Sequence, residues 1–115
     1  MVRSLEVALA AVVLLAAGCA VFMHGDVSRD EAHRLVAGGA LLLDVRSPEE
    51  FKSGHIDGAV NIPVQDLEAR LGEVGPRERQ VVVYCHSGMR SGRAAQVLRG
   101  AGYSGVRDLG PMERW

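Results

Sequence analysis

Cys85-His86-Ser87-Gly88-Met89-Arg90 places one thiol where an apolar run, Val81-Val82-Val83-Tyr84, gives way to a short polar segment with a glycine. A helix-like stretch follows from Ser91-Gly92. In a strand–loop–helix unit of this kind the loop N–H groups can converge on the sulfur, and the positive end of the helix points at the same spot. Free cysteine has a pKa of about 8.5, and such surroundings lower it to roughly 3.5–7.5. Each unit is worth about 1.4 kcal/mol of preference for the anion. The chemistry on offer is nucleophilic displacement by a thiolate. The plain alternative is a small apolar residue closing a strand, because unpaired cysteines are often buried.

The elements that must hold this loop are legible on both sides of it. Ser28-Arg29-Asp30-Glu31 fits a capping box, opening a helix with Ala32, Leu35 and Val36 on one face and a stop at Gly38-Gly39. Leu41-Leu42-Leu43-Asp44-Val45 reads as a buried strand. Ser47-Pro48-Glu49-Glu50 repeats the capping pattern with proline at the first helical position, and Ser53-Gly54 ends that short helix. Gly58 to Pro63 reads as a short strand, Val64 to Leu71 as a helix, and Gly72 to Gln80 as a surface turn. After the cysteine loop, a helix from Ser91 to about Arg99 turns Ala94, Ala95, Val97 and Leu98 inward and ends at Gly100 and Gly102. Val106 to Leu109 is the last strand.

Strands alternating with helices predict an α/β fold, a small and mostly parallel sheet with helices on both faces. Ligands of such sheets sit beyond the carboxyl ends of the strands, where Cys85 falls.

At 115 residues, the chain has room for one domain plus an N-terminal segment. A formal charge of −1 with dispersed basic residues leaves no electrostatic footprint for nucleic acid. His24, His33, His55 and His86 are scattered, and no histidine or cysteine pair has ligand spacing, which argues against zinc. Nothing in the spacing supports a Cys19–Cys85 disulfide.

Residues 1–19 read as a targeting segment. Arg3 precedes an apolar run from Val7 to Ala17, too short to span a bilayer but of the length found in a secretory signal. Ala16-Ala17-Gly18-Cys19 resembles a bacterial lipoprotein signal, in which the cysteine is lipidated and becomes the new N-terminus. Glu6 offsets Arg3, and Ala16 stands where leucine is commoner. An ordinary cleaved signal and a short uncleaved anchor are the alternatives. All three export the domain, to the bacterial cell envelope facing the periplasm or the outer surface. With Cys19 lipidated, Cys85 is the one thiol left, in a compartment that favours disulfides, and this points to reactivity.

Four segments, in order, resemble the rhodanese family in its single-domain form. They are Leu43-Asp44-Val45-Arg46-Ser47-Pro48-Glu49-Glu50-Phe51; Gly54-His55-Ile56-Asp57-Gly58-Ala59-Val60-Asn61-Ile62-Pro63; Tyr84-Cys85-His86-Ser87-Gly88-Met89-Arg90-Ser91; and Gly102-Tyr103 through Leu109-Gly110-Pro111-Met112-Glu113-Arg114-Trp115. Gly110-Pro111 stands where the family usually has a double glycine, which implies a local change in a C-terminal turn and none in the chemistry. The resemblance covers about Val27 to Trp115 and sets the domain at residues 26–115.

The resemblance implies a three-layer rhodanese-like fold and a sulfurtransferase without a cofactor. Thiosulfate or a similar sulfane donor passes a sulfur atom to Cys85, and a thiophilic acceptor, either cyanide or a small-molecule or protein thiol, removes it. Four residues lie between Cys85 and Arg90, one fewer than in the related phosphatases and arsenate reductases, whose larger cradle holds a tetrahedral oxyanion. A non-catalytic envelope binding or sulfur-carrier module built on the same fold is the competing reading.

His86, Ser87, Gly88, Met89 and Arg90 are the expected substrate-binding residues. Gly88 permits a close backbone approach. Arg90 attracts an anionic donor or sits as a helix-start arginine. Ser87 donates to sulfur or shapes the turn, and Met89 packs or is solvated. His86 is a general base only secondarily, since a thiolate held by N–H groups needs none. Asp44 is expected to order the loops beside the site, Arg46 to pair with a carboxylate or else to add positive potential there, and His55 to bond a loop carbonyl.

Overall fold

The structure is a computed structural model and describes residues 25–115. The expected signal segment, with Cys19, lies outside the described residues. The elements run α1 (Arg29–Ala37), β1 (Leu41–Asp44), α2 (Pro48–Ser53), β2 (Val60–Asn61), two 3₁₀ turns (Val64–Asp66 and Glu68–Arg70), α3 (Leu71–Val74), β3 (Val81–Cys85), α4 (Met89–Gly100), β4 (Val106–Pro111) and a closing 3₁₀ turn (Met112–Arg114). The sheet has the order β2-β1-β3-β4, and every pair is parallel.

Burial explains the strand sequences. All residues of β1 and β3 are buried, as expected where both faces of a parallel sheet are covered. Because side chains alternate, the two faces divide cleanly. Leu41, Leu43, Val81, Val83 and Cys85 face one core layer with Ala94, Ala95 and Leu98 of α4. Leu42, Val82 and Tyr84 face the other with Ala32 of α1 and the C-terminal Met112 and Trp115. Each fully buried Leu or Val stabilises the fold by about 1.5–3 kcal/mol relative to exposure. The expected layers, with helices on both sides, are therefore present.

Both serines cap their helices as expected, but the reciprocal box expected at each is present only at α2. Ser28 Oγ accepts from Glu31 N at 3.2 Å. At α2 the box is reciprocal: Glu50 N donates to Ser47 Oγ, and Ser47 N donates back to Glu50 Oε1 at 3.1 Å.

Two expectations need correction. The helix expected over 64–71 with a turn after it is a pair of 3₁₀ turns running into α3, with bonds such as Leu67 N to Val64 O and Arg70 N to Leu67 O. A 3₁₀ turn rises further per residue, so the segment covers the distance back to β3 while seating Leu67 and Val74, both fully buried. The helix expected from Ser91 begins at Met89, because Gly88 takes a left-handed conformation (φ +101°) as its N-cap and Gly92 N closes on Gly88 O. Arg90 thus lies in the first helical turn.

Candidate active site

Cys85 is the last residue of β3 and is fully buried at the carboxyl end of the sheet. It serves two environments. One side belongs to the core layer under α4, which is the small-apolar-residue reading. The sulfur itself accepts a hydrogen bond from Gly88 N at 2.9 Å. A thiol sulfur accepts such a bond weakly and a thiolate strongly.

Gly88 brings its N–H into place because it carries no side chain. A Cβ there would stand 3.4 Å from Pro111 Cδ, in a backbone region that L residues rarely adopt. No side chain caps α4, so the N–H groups of its first turn remain open toward the loop. Ser91, fully buried, ties the turn down by donating to Gly88 O at 3.0 Å. Beneath it, burial pushes the Asp108 carboxyl above its ordinary value, against the pull of Ser91 and of Gly110 N at 2.9 Å.

The other loop side chains divide. His86 and Ser87 are exposed, and neither side chain makes a hydrogen bond among the described residues. Met89 is 83% exposed, in keeping with its solvated reading. Arg90 is half-buried and engaged: Nη1 and Nη2 donate to Glu50 Oε1 and Oε2 at 2.7 and 3.0 Å. That bidentate pair, with help from Ser47 N, holds the Glu50 carboxyl down to about 2.

Arg46 pairs with a carboxylate, and its partner is Asp44. Arg46 Nη2 lies 2.7 Å from Asp44 Oδ2, and Nε and the backbone N of Arg46 also donate to the carboxylate. Both residues are buried. Arg46 Nη2 further donates to Gly54 O at 2.8 Å, and Asn61 Nδ2 donates to the carbonyls of Asp44 and Arg46 at 3.0 Å. The pair therefore fixes the connection from β1 into α2, and with it the position of Glu50. His55 bonds Phe51 O through Nδ1 at 2.8 Å, so the carbonyl it holds belongs to α2 and not, as expected, to a loop.

Sequence reasoning missed three residues. Glu50 was legible as the N3 residue of a capping box but not as the partner of Arg90. Ser91, taken as the helix start, is a buried brace. Pro111, expected to change only a C-terminal turn, pairs in register with Cys85 and packs over Gly88. A cavity of about 540 Å³ lies at the opposite, amino end of the sheet, lined by Arg34, Gly38 and Arg79 among others, and takes no part in the site.

A family model described as a rhodanese-like domain matches residues 28–115. The uncharacterized protein YqhL of Bacillus subtilis is 46% identical over 66% of this chain, and the chain spans 60% of YqhL's length, less than two thirds. The thiosulfate sulfurtransferase PspE of Escherichia coli is 36% identical over 62% of this chain and 69% of its own. Among solved structures, a human single-domain sulfurtransferase superposes with a TM-score of 0.69 at 36% identity, covering 78% of this chain and 90% of that one.

Proposed function

This chain belongs to the rhodanese-like domain family, and on that premise we propose that it is a sulfurtransferase working through a persulfide on Cys85. The observation that carries the reading is the hydrogen bond from Gly88 N to Cys85 Sγ, at the carboxyl end of the sheet and beside an uncapped helix start.

The step balances simply. The Cys85 thiolate attacks the outer sulfur of the donor, a new S–S bond forms, and the donor's own S–S bond breaks with its electron pair on the leaving group. From thiosulfate the leaving group is sulfite. The persulfide anion keeps one negative charge near the Gly88 N–H, so the donor that favours the thiolate also favours the intermediate. An acceptor nucleophile, cyanide or a thiol, then takes the terminal sulfur and returns the thiolate. Covalent relay divides one difficult transfer into two easier displacements. Because Cys85 is fully buried, each displacement requires the loop over it to give way.

Mass measurement on the Cys85 peptide tests this directly. Treatment with thiosulfate is expected to add roughly 32 Da, one sulfur atom, and a dithiol is expected to remove it. Sulfinic acid weighs nearly the same but is not reversed by thiols. A peptide that never gains a thiol-removable sulfur would sink the proposal and favour a docking role for the fold.

We further propose that the domain is exported and lipid-anchored through Cys19, on the strength of Ala16-Ala17-Gly18-Cys19 after the apolar run. Cells expressing the protein should incorporate labelled palmitate, and Cys19→Ala should abolish the label. Label retained by that variant would overturn the anchor.

A further inference from the structure

Arg90 is the cation that the cysteine loop presents to an anionic donor, yet its guanidinium is already occupied. Glu50 holds both terminal nitrogens in a bidentate pair. The carboxylate does not drift into this position. Its place is fixed from the other side by the capping box of α2, where Ser47 N donates to the same Oε1 that Arg90 Nη1 contacts. A second arginine at this end of the sheet, Arg46, is committed in the same way to Asp44. Both of these arginines are therefore matched by carboxylates, whereas Arg93, three residues after Arg90 on α4, is exposed and makes no ion pair among the described residues. Against the sulfur itself stand the Gly88 N–H and the helix start, whose dipole is equivalent to about half a charge.

That arrangement suits one negative charge better than two. With thiosulfate, three negative charges meet in the transition state: one from the thiolate and two from the donor. With an organic thiosulfonate or an ionised persulfide, two meet, and the leaving group is a sulfinate or a thiolate. We infer that Glu50 is a specificity-determining residue, which neutralises Arg90 beside Cys85 and thereby selects singly charged sulfur donors over doubly charged ones. The inference rests on the sulfur-transfer reading above for its donors, but not for the charge it assigns to the loop.

The test is Glu50→Gln in the full-length chain. Glutamine also serves at the third position of a capping box, so the charge is removed while α2 keeps its cap. A melting temperature close to that of the parent confirms that the fold is intact. Rates are compared for thiosulfate and benzenethiosulfonate, with cyanide as the acceptor. The variant is expected to raise kcat/KM for thiosulfate relative to benzenethiosulfonate by about three- to tenfold at low ionic strength. The gain should fall away in about 1 M salt, where the screening length is only about 3 Å.

A second readout needs no sulfur transfer. Alkylation of Cys85, followed on its own peptide, should shift toward iodoacetate over neutral iodoacetamide by a similar factor. If neither donor reacts even with the parent protein, sulfur transfer itself fails, and the alkylation ratio alone decides the role of Glu50. An unchanged or lower ratio would overturn that role while leaving Cys85 chemistry untouched.

Discussion

Cys85→Ser is expected to lower sulfur transfer from thiosulfate to cyanide by at least about a thousandfold, as removal of a covalent nucleophile does. A serine hydroxyl is un-ionised at neutral pH and has no thiolate form to attack a sulfane sulfur. The loop that surrounds it should survive, because Gly88 N can donate to an oxygen as readily as to the sulfur it meets at 2.9 Å. The hydroxyl replaces a thiol at a fully buried core position, so a stability loss of about 1–3 kcal/mol is expected. Thiocyanate release measured beside circular dichroism separates the two effects. A folded variant that keeps a tenth or more of the activity would remove Cys85 from the chemistry.

What the sequence disclosed follows from how local each feature is. The Ser47–Glu50 box, the continuously apolar strands β1 and β3 and the glycine before α4 are decided within a few residues, and each stands as expected. The pairing of Arg90 with Glu50 joins positions 40 residues apart, and no local pattern encodes it. Its clue was geometric. The N3 side chain of a helix that follows β1 projects at the carboxyl end of the sheet, the same end at which β3 delivers Cys85.

The position of Pro111 depends on a further non-local detail. Val83 pairs with Asp108 but Tyr84 pairs with Gly110, so Leu109 is an extra residue in β4. That bulge carries Pro111 alongside Cys85 and over Gly88. A strand read only as far as Leu109 could not reveal it. The 3₁₀ turns before α3 escaped for a related reason: leucines four apart suit an α-helix, and the distance to be crossed between β2 and β3 overrides that spacing.

Asp44→Ala is expected to be the most damaging single change to stability. Arg46 would keep its bond to Gly54 O, and its guanidinium would still lie 5.7 Å from the centre of the Tyr84 ring. It would nevertheless be a buried cation, 4% exposed, without its carboxylate. Breaking a buried pair from one side costs about 3–5 kcal/mol. A domain of this size loses about 4–8 °C of Tm per kcal/mol, so a fall of at least about 12 °C should appear in a thermal melt. The half-buried pair of Arg90 and Glu50, about a third open to solvent, is a contrasting case, worth about 1 kcal/mol or less. The pairs differ in burial, not in contact distance, since both close at 2.7 Å.

The double variant Asp44→Ala with Arg46→Met separates the causes. If the damage comes from an uncompensated buried charge, removing that charge should restore much of the lost stability, because apolar replacements of buried pairs are often neutral. If it comes from losing the anchor between β1 and α2, the double variant should be no better than the single one. In the first case α2 returns to its place and Glu50 again meets Arg90, so the donor preference should recover with the melting temperature. A double variant as unstable as Asp44→Ala would mean that the hydrogen bonds of Asp44, rather than its charge, hold this end of the sheet together.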